Sequence, residues 1–237
     1  MRGGGSYVEP YVAYVEGDNS VHYNKPKFFC KLTLSDDSVI ELEGSGELTS
    51  AMTVEYSATC VSAEIGTKCT SIGQNAFSQG YNKSFSALTS ITISDSVTSI
   101  GIAAFQFDSN IVSVKIGNSV TNIERCAFQG CSSLTSVTIP NSVVNIKFQA
   151  FYGCVGISSL FIGNHVTTIE DEAFYLCQNL NNITCNAATA PTITSDTFQK
   201  VKTNGVLYVP SGSSGYEVWM QNANYYLGLY NWTKVEQ

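Results

Sequence analysis

The hydrophobic pattern repeats itself along the middle of the chain. Each repeat is marked by a small residue followed by a phenylalanine. The marks are Ala76-Phe77, Ala104-Phe105, Ala127-Phe128, Ala150-Phe151, Ala173-Phe174 and Thr197-Phe198. The intervals between successive phenylalanines are 28, 23, 23, 23 and 24. A fixed period of about 23 residues over this length predicts a solenoid, in which each unit stacks on the next.

Two groups of apolar positions within each unit predict two strands. In one unit, Val137 and Ile139 alternate with polar residues, which is typical of a short strand with one buried face. Val143 and Ile146 follow and predict a second strand that runs back along the unit. Pro140-Asn141, between the two groups, favours a tight turn. The same arrangement recurs in the neighbouring units.

A short segment leads from the second strand to each repeat phenylalanine. These segments, such as ERCAF and EDEAF, are too short for a long helix and predict one helical turn each. The alanine and phenylalanine then face inward. The predicted fold class is a β-rich solenoid, with units of about 23 residues that each contain a strand, a turn, a short strand and a helical turn.

This pattern resembles the BspA-like leucine-rich repeat family, whose units have the approximate form LxxIxIPxxVTxIGxxAFxxC. The likeness extends from Ala63 to about Phe198, and the period, the AF pair, the turn and the trailing cysteine all occur together. The resemblance implies a curved solenoid of the kind found on bacterial, phage-encoded or protist proteins, often in adhesion or binding. It does not specify a ligand, because binding residues are not shared across that family.

Four parts are predicted along the chain: an N-terminal arm (1–24), an N-terminal β cap (25–62), the leucine-rich repeats (63–198) and a C-terminal cap (199–237). Caps are expected because stacked units leave an apolar face open at each end. The N-terminal cap should contain a hairpin around Asp36-Asp37 and a further strand from Leu48 to Thr59. The C-terminal cap should contain the strand Gly205–Val209. The aromatic residues expected to cover this end are Tyr216, Trp219, Tyr225, Tyr226, Tyr230 and Trp232.

Composition and charge exclude several classes of partner. The 237-residue chain has a formal net charge of −7, and its twelve lysines and arginines are scattered, so no basic surface for nucleic acid is expected. No apolar run approaches the roughly 20 residues of a membrane span. The start, MRGGGSYVEP, lacks the apolar region of a secretory signal. Two explanations are compatible with this start: the chain stays where it is made, or a leader peptide has been removed.

The eight cysteines fit the repeat better than they fit a metal site. There is no CxxC pair. Cys131, Cys154 and Cys177 each follow a repeat phenylalanine by three residues and should form one buried column of reduced thiols. Cys69 and Cys185 replace apolar residues of the walls. The remaining three, Cys30, Cys60 and Cys126, have no predicted role.

No pattern of catalytic residues stands out. His22 and His165 are the only histidines, and nothing in the sequence indicates that either is held beside a nucleophile and oriented by a third group. His165 is predicted to lie in a surface turn, where it is a candidate ligand contact. The acidic run Glu170 to Glu172 is predicted to be a solvated face rather than a pair of catalytic carboxylates. No cofactor or metal motif is present. The chain is predicted not to be an enzyme.

The candidate binding surface is the outward face of the first strand in each unit. Side chains alternate across a strand, so one residue per unit points away from the core and forms a ladder across the units. This ladder contains Thr92, Lys115, Thr138, Phe161 and Thr184. A plain solvated face would consist of Ser and Thr. The prevalence of Ser and Thr favours that interpretation, but the aromatic Phe161 breaks the pattern and is a candidate ligand contact.

Two functions remain open from the sequence. The first is a non-enzymatic binding or attachment module that presents its repeats to protein or glycan, at the cell surface if the resemblance holds. The second is a structural component of a larger assembly, such as a phage virion fibre or decoration protein assembled in the cytoplasm. In the second, the arm docks on a capsid, a tail or a second copy of the chain, giving a homo-oligomer. The docking residues would be Tyr7, Tyr11, Tyr14 and Tyr23.

Overall fold

The computed structural model describes residues 28–78 and 84–237. It also describes the backbone of two short antiparallel strands before them, β1 (Ala13–Val15) and β2 (Val21–Tyr23). Of the predicted docking residues, Tyr7 and Tyr11 lie outside the described residues. Tyr14 and Tyr23 belong to β1 and β2, for which the backbone alone is described. The docking role of the arm therefore stays a prediction.

Each central repeat contributes one strand of three or four residues and one strand of two residues. The longer strands form the front wall: β6 (Cys60–Ile65), β8 (Ser90–Ile93), β10 (Ser113–Lys115), β12 (Ser136–Ile139), β14 (Ser159–Ile162), β16 (Asn182–Cys185), β17 (Val206–Val209) and β18 (Thr233–Glu236). The return wall contains β5 (Gly46–Leu48), β7 (Cys69–Ile72), β9 (Ser99–Ile100), β11 (Asn122–Ile123), β13 (Asn145–Ile146) and β15 (Thr168–Ile169).

The strands of successive repeats pair in parallel, as a solenoid requires. The return wall is one six-stranded sheet, in the order β15-β13-β11-β9-β7-β5. The front-wall strands belong to two five-stranded sheets, in the orders β10-β8-β6-β3-β4 and β12-β14-β16-β17-β18. Here β3 (Cys30–Leu34) and β4 (Val39–Leu42) form the antiparallel hairpin predicted around Asp36-Asp37. The predicted repeat solenoid is confirmed.

The repeat phenylalanines form a continuous stack in the core. Adjacent rings from Phe77 to Phe174 lie 5.1 to 5.2 Å apart between centroids and are nearly parallel, and Phe198 extends the stack at 5.6 Å. From Phe77 to Phe174, the N–H of each repeat phenylalanine also donates to the carbonyl of the small residue that precedes the next repeat phenylalanine; that of Phe128, for example, donates to Ala150 O at 2.8 Å. The aromatic column is thus tied together by ring contacts and by a backbone ladder.

The segment before each phenylalanine differs in detail from the predicted helical turn. It consists of successive four-residue turns, each closed by a hydrogen bond between residues three apart, and the residue before the alanine has a left-handed backbone, as at Cys126 (φ 57°) and Gln149 (φ 56°). Here the left-handed residue turns the backbone toward the adjacent unit, where the N–H of Cys126 bonds Phe148 O at 3.1 Å.

The strand predicted from Leu48 to Thr59 is wrong. β5 ends at Leu48, and a short α-helix (Ser50–Thr53, α1) and a 3-10 helix (Val54–Tyr56) follow. The β-branched residues of this stretch favour a strand, but a tertiary contact decides the conformation. Thr53 is buried, and its hydroxyl donates to Ser50 O at 3.3 Å and to the carbonyl of Ala76 in the first repeat.

The C-terminal segment packs its aromatic residues unequally. The predicted strand is confirmed as β17, and a 3-10 helix (Leu227–Tyr230) precedes β18. Trp219 and Tyr216 are fully buried, with the Trp219 ring 5.3 Å from Phe198 at the end of the stack. Tyr225, which is predicted to cover the core, is instead 45% exposed, and its backbone is left-handed (φ 63°). The boundaries of the arm, caps and repeats stay predictions.

The three cysteines of the predicted column lie at the buried positions that the repeat predicts. Cys131, Cys154 and Cys177 are fully buried, and each Sγ donates to the carbonyl of the phenylalanine in the preceding repeat, at 3.0 to 3.4 Å. Cys69 and Cys185 lie in the walls, also buried. All eight cysteines have free thiols. Burial raises the pKa of Cys131 well above its ordinary value of 9.0, so this thiol stays protonated and unreactive.

Alkylation should therefore distinguish one cysteine from the other seven. Cys126 is the only partly exposed cysteine, so native protein should gain one label there, and all eight should react after unfolding without reductant. Intact mass and peptide mapping measure this. Protection of any two column cysteines in the unfolded, unreduced chain would reveal a disulfide and contradict the prediction.

Candidate functional site

The predicted ladder lies on the outer side of the front wall. Thr92 is paired with Lys115 across β8 and β10, and Phe161 is paired with Thr138 and Thr184 across β12, β14 and β16. Their flanking residues point into the core, as alternation along a strand requires. Thr92, Lys115 and Thr138 are exposed, and Phe161 and Thr184 are half-buried.

The ladder is longer than the five predicted residues. Glu64 lies beside Thr92 at one end, and Tyr208 lies beside Thr184 at the other. Both residues could have been predicted from the sequence, because the same alternation of apolar and polar positions occurs at Ala63-Glu64-Ile65 and at Leu207-Tyr208-Val209. His165 is exposed in the turn after β14, outside the strands that carry the ladder.

The ladder is divided by a break in the front wall. β10 and β12 are not paired, although they belong to consecutive repeats. Pro140, at the end of β12, lacks one bond that the later repeats make at this position. The matching Gly163 and Asn186 donate their N–H groups to Ile139 O and Ile162 O of the preceding repeat, both at 3.0 Å, and proline has no N–H to donate. The return wall and the phenylalanine stack continue unbroken at this point.

A groove of about 450 Å³ occupies the break. We call it the front groove; its main lining residues are Val114, Lys115, Thr138, Pro140, Asn141 and Phe161. Ile116 forms part of its floor and is only 7% exposed. Val114 is half-buried, whereas the corresponding Ile91 and Val137 are 2% exposed. The break therefore uncovers apolar surface that the other repeats bury.

The front groove has a positive edge. Lys115 is exposed, and among the described residues no carboxylate lies within ion-pair distance of its ammonium group. The lining itself contains no acidic side chain. Glu64 and Asp95 line a neighbouring pocket that Lys115 also borders, and the Asn118 N–H donates to Asp95 Oδ1 at 2.7 Å. Because neither carboxylate forms an ion pair with Lys115 in the described residues, its ammonium group can pair with an anionic ligand.

The acidic run Glu170 to Glu172 is less solvated than predicted. All three side chains are half-buried, and each binds a neighbouring repeat. Glu170 pairs with Lys147 at 3.0 Å, Asp171 accepts from the Thr194 hydroxyl at 2.7 Å, and Glu172 accepts from the Gln149 amide at 2.6 Å. These carboxylates hold repeats together and do not face one another across a cleft.

The most perturbed carboxyl group of the described residues lies in the core, away from the ladder. Burial raises the pKa of Asp108 from 3.8 to about 8. Its Oδ1 accepts the N–H of Phe85 at 2.7 Å, and its Oδ2 is buried without a partner. Asp108 follows Phe105 by three residues and so occupies the position that holds cysteine in later repeats. Perturbed carboxyl groups often mark reaction centres, but this one replaces a core thiol.

Within residues 28–78 and 84–237, no cluster of three His, Cys, Asp or Glu side chains could hold a metal ion. Across the same described part of the chain, none of the helices has the length and apolar character of a membrane span.

The front strands pair in parallel with one another, and so do the return strands. Together with the stacked phenylalanine column and the short, regular repeat period, this arrangement defines a leucine-rich repeat solenoid. The chain belongs to the BspA type leucine rich repeat family, whose model matches six copies over residues 38–127 and 72–204. Proteins of this class generally serve as binding or surface scaffolds, and nothing found for this chain shows catalysis.

Several solved bacterial proteins share the fold. A T. pallidum leucine-rich repeat protein is 16% identical, with a TM-score of 0.52 over 84% of this chain and 82% of its own. A Eubacterium ventriosum leucine-rich repeat protein is 18% identical, with a TM-score of 0.56 over 78% and 64%. A leucine-rich cell surface protein of Faecalibacterium prausnitzii is 25% identical, with a TM-score of 0.51 over 71% and 38%. No curated protein matches the sequence.

Proposed function

We propose that this protein is a non-enzymatic binding scaffold that presents the outer face of its front wall to a protein or glycan partner. The observation that carries the proposal is Phe161. Its ring is half-buried on an otherwise polar ladder, next to the exposed Lys115 and Thr138 of the front groove. Aromatic side chains provide much of the contact energy in recognition surfaces because they combine a large area with little conformational entropy.

The family supports this general role, and one relative supports a location. The F. prausnitzii protein is described as a cell surface protein, although this chain covers only 38% of it. Attachment at a cell surface is therefore our proposal for this chain. The comparisons give no support to the alternative of a phage virion component, and the arm on which that alternative depends lies largely outside the described residues.

The proposal predicts that binding maps to the front wall. The full chain is screened by biolayer interferometry against purified extracellular proteins and glycans, and each binding partner is tested again with Phe161→Ala. We expect this variant to weaken binding at least tenfold, because truncation of a central aromatic contact typically costs more than about 1 kcal/mol.

Val144→Ala is the matched control. Val144 is also an exposed apolar residue, at 37%, but it lies beside β13 on the return wall. It should bind as wild type does. If Val144→Ala weakens every interaction and Phe161→Ala weakens none, the binding surface lies on the other side of the solenoid and the proposal is wrong.

A further inference from the structure

The front groove exists because two neighbouring strands separate, and their separation limits what can enter. Some Cα atoms of β10 and β12 still lie within 8 Å of each other. An inserted strand would need roughly 9.6 Å between its flanking strands, twice the usual spacing of about 4.8 Å. The opening is therefore too narrow for a peptide strand to join the sheet. It suits a ligand that lies over the gap.

The polar groups around the groove include lysine and amide donors, and Asn118 adds an amide oxygen, since its Nδ2 donates to Asp95 Oδ1 at 3.2 Å. The Lys115 ammonium has no ion-pair partner among the described residues. Asn141 uses its Oδ1 to accept the N–H of Asn164 at 3.0 Å, which directs its amide N–H₂ elsewhere. Thr138 adds an exposed hydroxyl between them. The lining holds no carboxylate, so a ligand with acceptor oxygens and negative charge complements it.

The apolar part of the lining is a shallow surface with one aromatic ring. Ile116 is almost covered, and Val114 and Phe161 are each half-buried. A peptide that binds through an apolar side chain needs a deeper pocket for that anchor. A sugar ring has C–H groups on its faces and hydroxyl groups at its edge, and this arrangement fits an aromatic ring surrounded by donors. The groove volume, about 450 Å³, lies within the usual range for small-molecule sites.

We propose that the front groove binds an acidic saccharide residue, with the sugar ring against Phe161 and its carboxylate paired with Lys115. Asn141 and Thr138 bind the ring hydroxyl groups. This inference rests on the proposed function of the front wall and adds the chemical class of the ligand. The site depends on the break between β10 and β12, because paired strands would bury Val114 and close the groove.

The test uses the full chain and a panel of soluble oligosaccharides that contain uronic or sialic acid, each paired with its carboxyl-reduced form. Binding is measured by isothermal titration calorimetry and by saturation-transfer NMR. We expect at least one acidic oligosaccharide to bind, and its reduced form to bind about tenfold more weakly, because a charge-assisted bond is lost. Lys115→Gln should weaken binding of the acidic form about tenfold and leave that of the reduced form almost unchanged.

Phe161→Ala should weaken binding of both forms, because the ring contact does not depend on charge. Lys202→Gln is the control for charge, since Lys202 is exposed outside the groove lining, and it should bind as wild type does. Thermal melts of each variant establish that it is folded. A second prediction concerns closure of the groove: Val114→Trp should fill it and abolish saccharide binding.

Three outcomes would overturn the inference: no acidic oligosaccharide binds at about 1 mM, the reduced forms bind equally well, or an acidic peptide displaces the saccharide at lower concentration than the saccharide itself requires. Failure of the saccharide alone leaves a protein partner that depends on Phe161 untouched, so the proposed function would stand. If Phe161→Ala changes binding to no partner of either kind, both proposals fail.

Discussion

Phe128→Ala is expected to destabilise the protein by about 3 to 5 kcal/mol. The ring is completely buried, and it stacks on Phe105 at 5.1 Å and on Phe151 at 5.2 Å. Removing it leaves a cavity between two rings that are held in place by the backbone ladder, so the neighbours cannot move in to fill the space. Urea denaturation followed by circular dichroism measures the loss.

Two variants on the front wall serve as controls for this change. Thr138→Ala removes an exposed side chain and should alter stability by less than about 0.5 kcal/mol. Phe161→Ala removes the same side chain as Phe128→Ala, but from a half-buried position, and should cost clearly less. Because the stack is continuous, Phe128→Ala can also make unfolding proceed in two steps, with each half of the solenoid melting separately. Equal losses for Phe128→Ala and Thr138→Ala would contradict the assigned register.

The repeat could be predicted from the sequence because each unit satisfies the same local rules. The alternation at Val137 and Ile139, the turn at Pro140-Asn141 and the spacing of the phenylalanines all require the same coil, and the structure has these strands paired in register. The same rule placed Phe161 and Thr138 side by side. A fold can be predicted from its sequence when the local pattern and the overall fold agree in this way.

The front groove could not be predicted in the same way. Pro140 fits the repeat pattern, and its missing N–H is visible in the sequence. Whether two strands then separate depends on how the adjacent turns pack, and no single repeat contains that information. The strand that was wrongly predicted after Leu48 has a similar cause, because the hydroxyl of Thr53 bonds a carbonyl in a different repeat. Interactions between units decided both features.

Asp108 was also missed, although a signal was present. It stands three residues after Phe105, in the column that continues with Cys131 and Cys154. The first interval between repeat phenylalanines is longer than the later ones, which obscures where the column begins. Phe85 occupies the same column one repeat before Asp108, and the two are joined by the bond from the Phe85 N–H to Asp108 Oδ1. Alignment on the columns, rather than on the AF pair alone, would have revealed a carboxyl group in the core.

The buried carboxyl group makes a strong prediction about pH. The pKa of Asp108 is about 8 in the folded protein, above the ordinary value of 3.8 expected for the unfolded chain. Between these values the folded protein keeps a proton that the unfolded chain releases. Stability from this group is therefore fully present below about pH 4 and is lost as the pH rises toward 8, by about 1.4 kcal/mol per pH unit.

Asp108→Asn should remove this dependence. Asparagine keeps the oxygen that accepts the Phe85 N–H and cannot ionise, so its contribution to stability should be constant from pH 4 to pH 8. Its amide N–H₂ is buried and adds a fixed cost, which shifts the whole curve without changing its slope. The decisive quantity is the difference between variant and wild type, which should change in favour of the variant by several kcal/mol, on the order of 5 kcal/mol, over this range.

Asp37→Asn controls for the loss of a carboxylate as such. Asp37 is exposed in the hairpin turn between β3 and β4, at a left-handed position that asparagine tolerates, and its replacement should leave the pH dependence of wild type unchanged. Asp108→Cys restores the thiol found in the later repeats and should likewise remove the slope below pH 8. Urea denaturation at five values of pH measures all four proteins. If Asp108→Asn and wild type lose stability in parallel between pH 4 and pH 8, Asp108 is already ionised in the folded protein, and its carboxylate must have a hydrogen-bond partner for Oδ2 that the described residues do not supply.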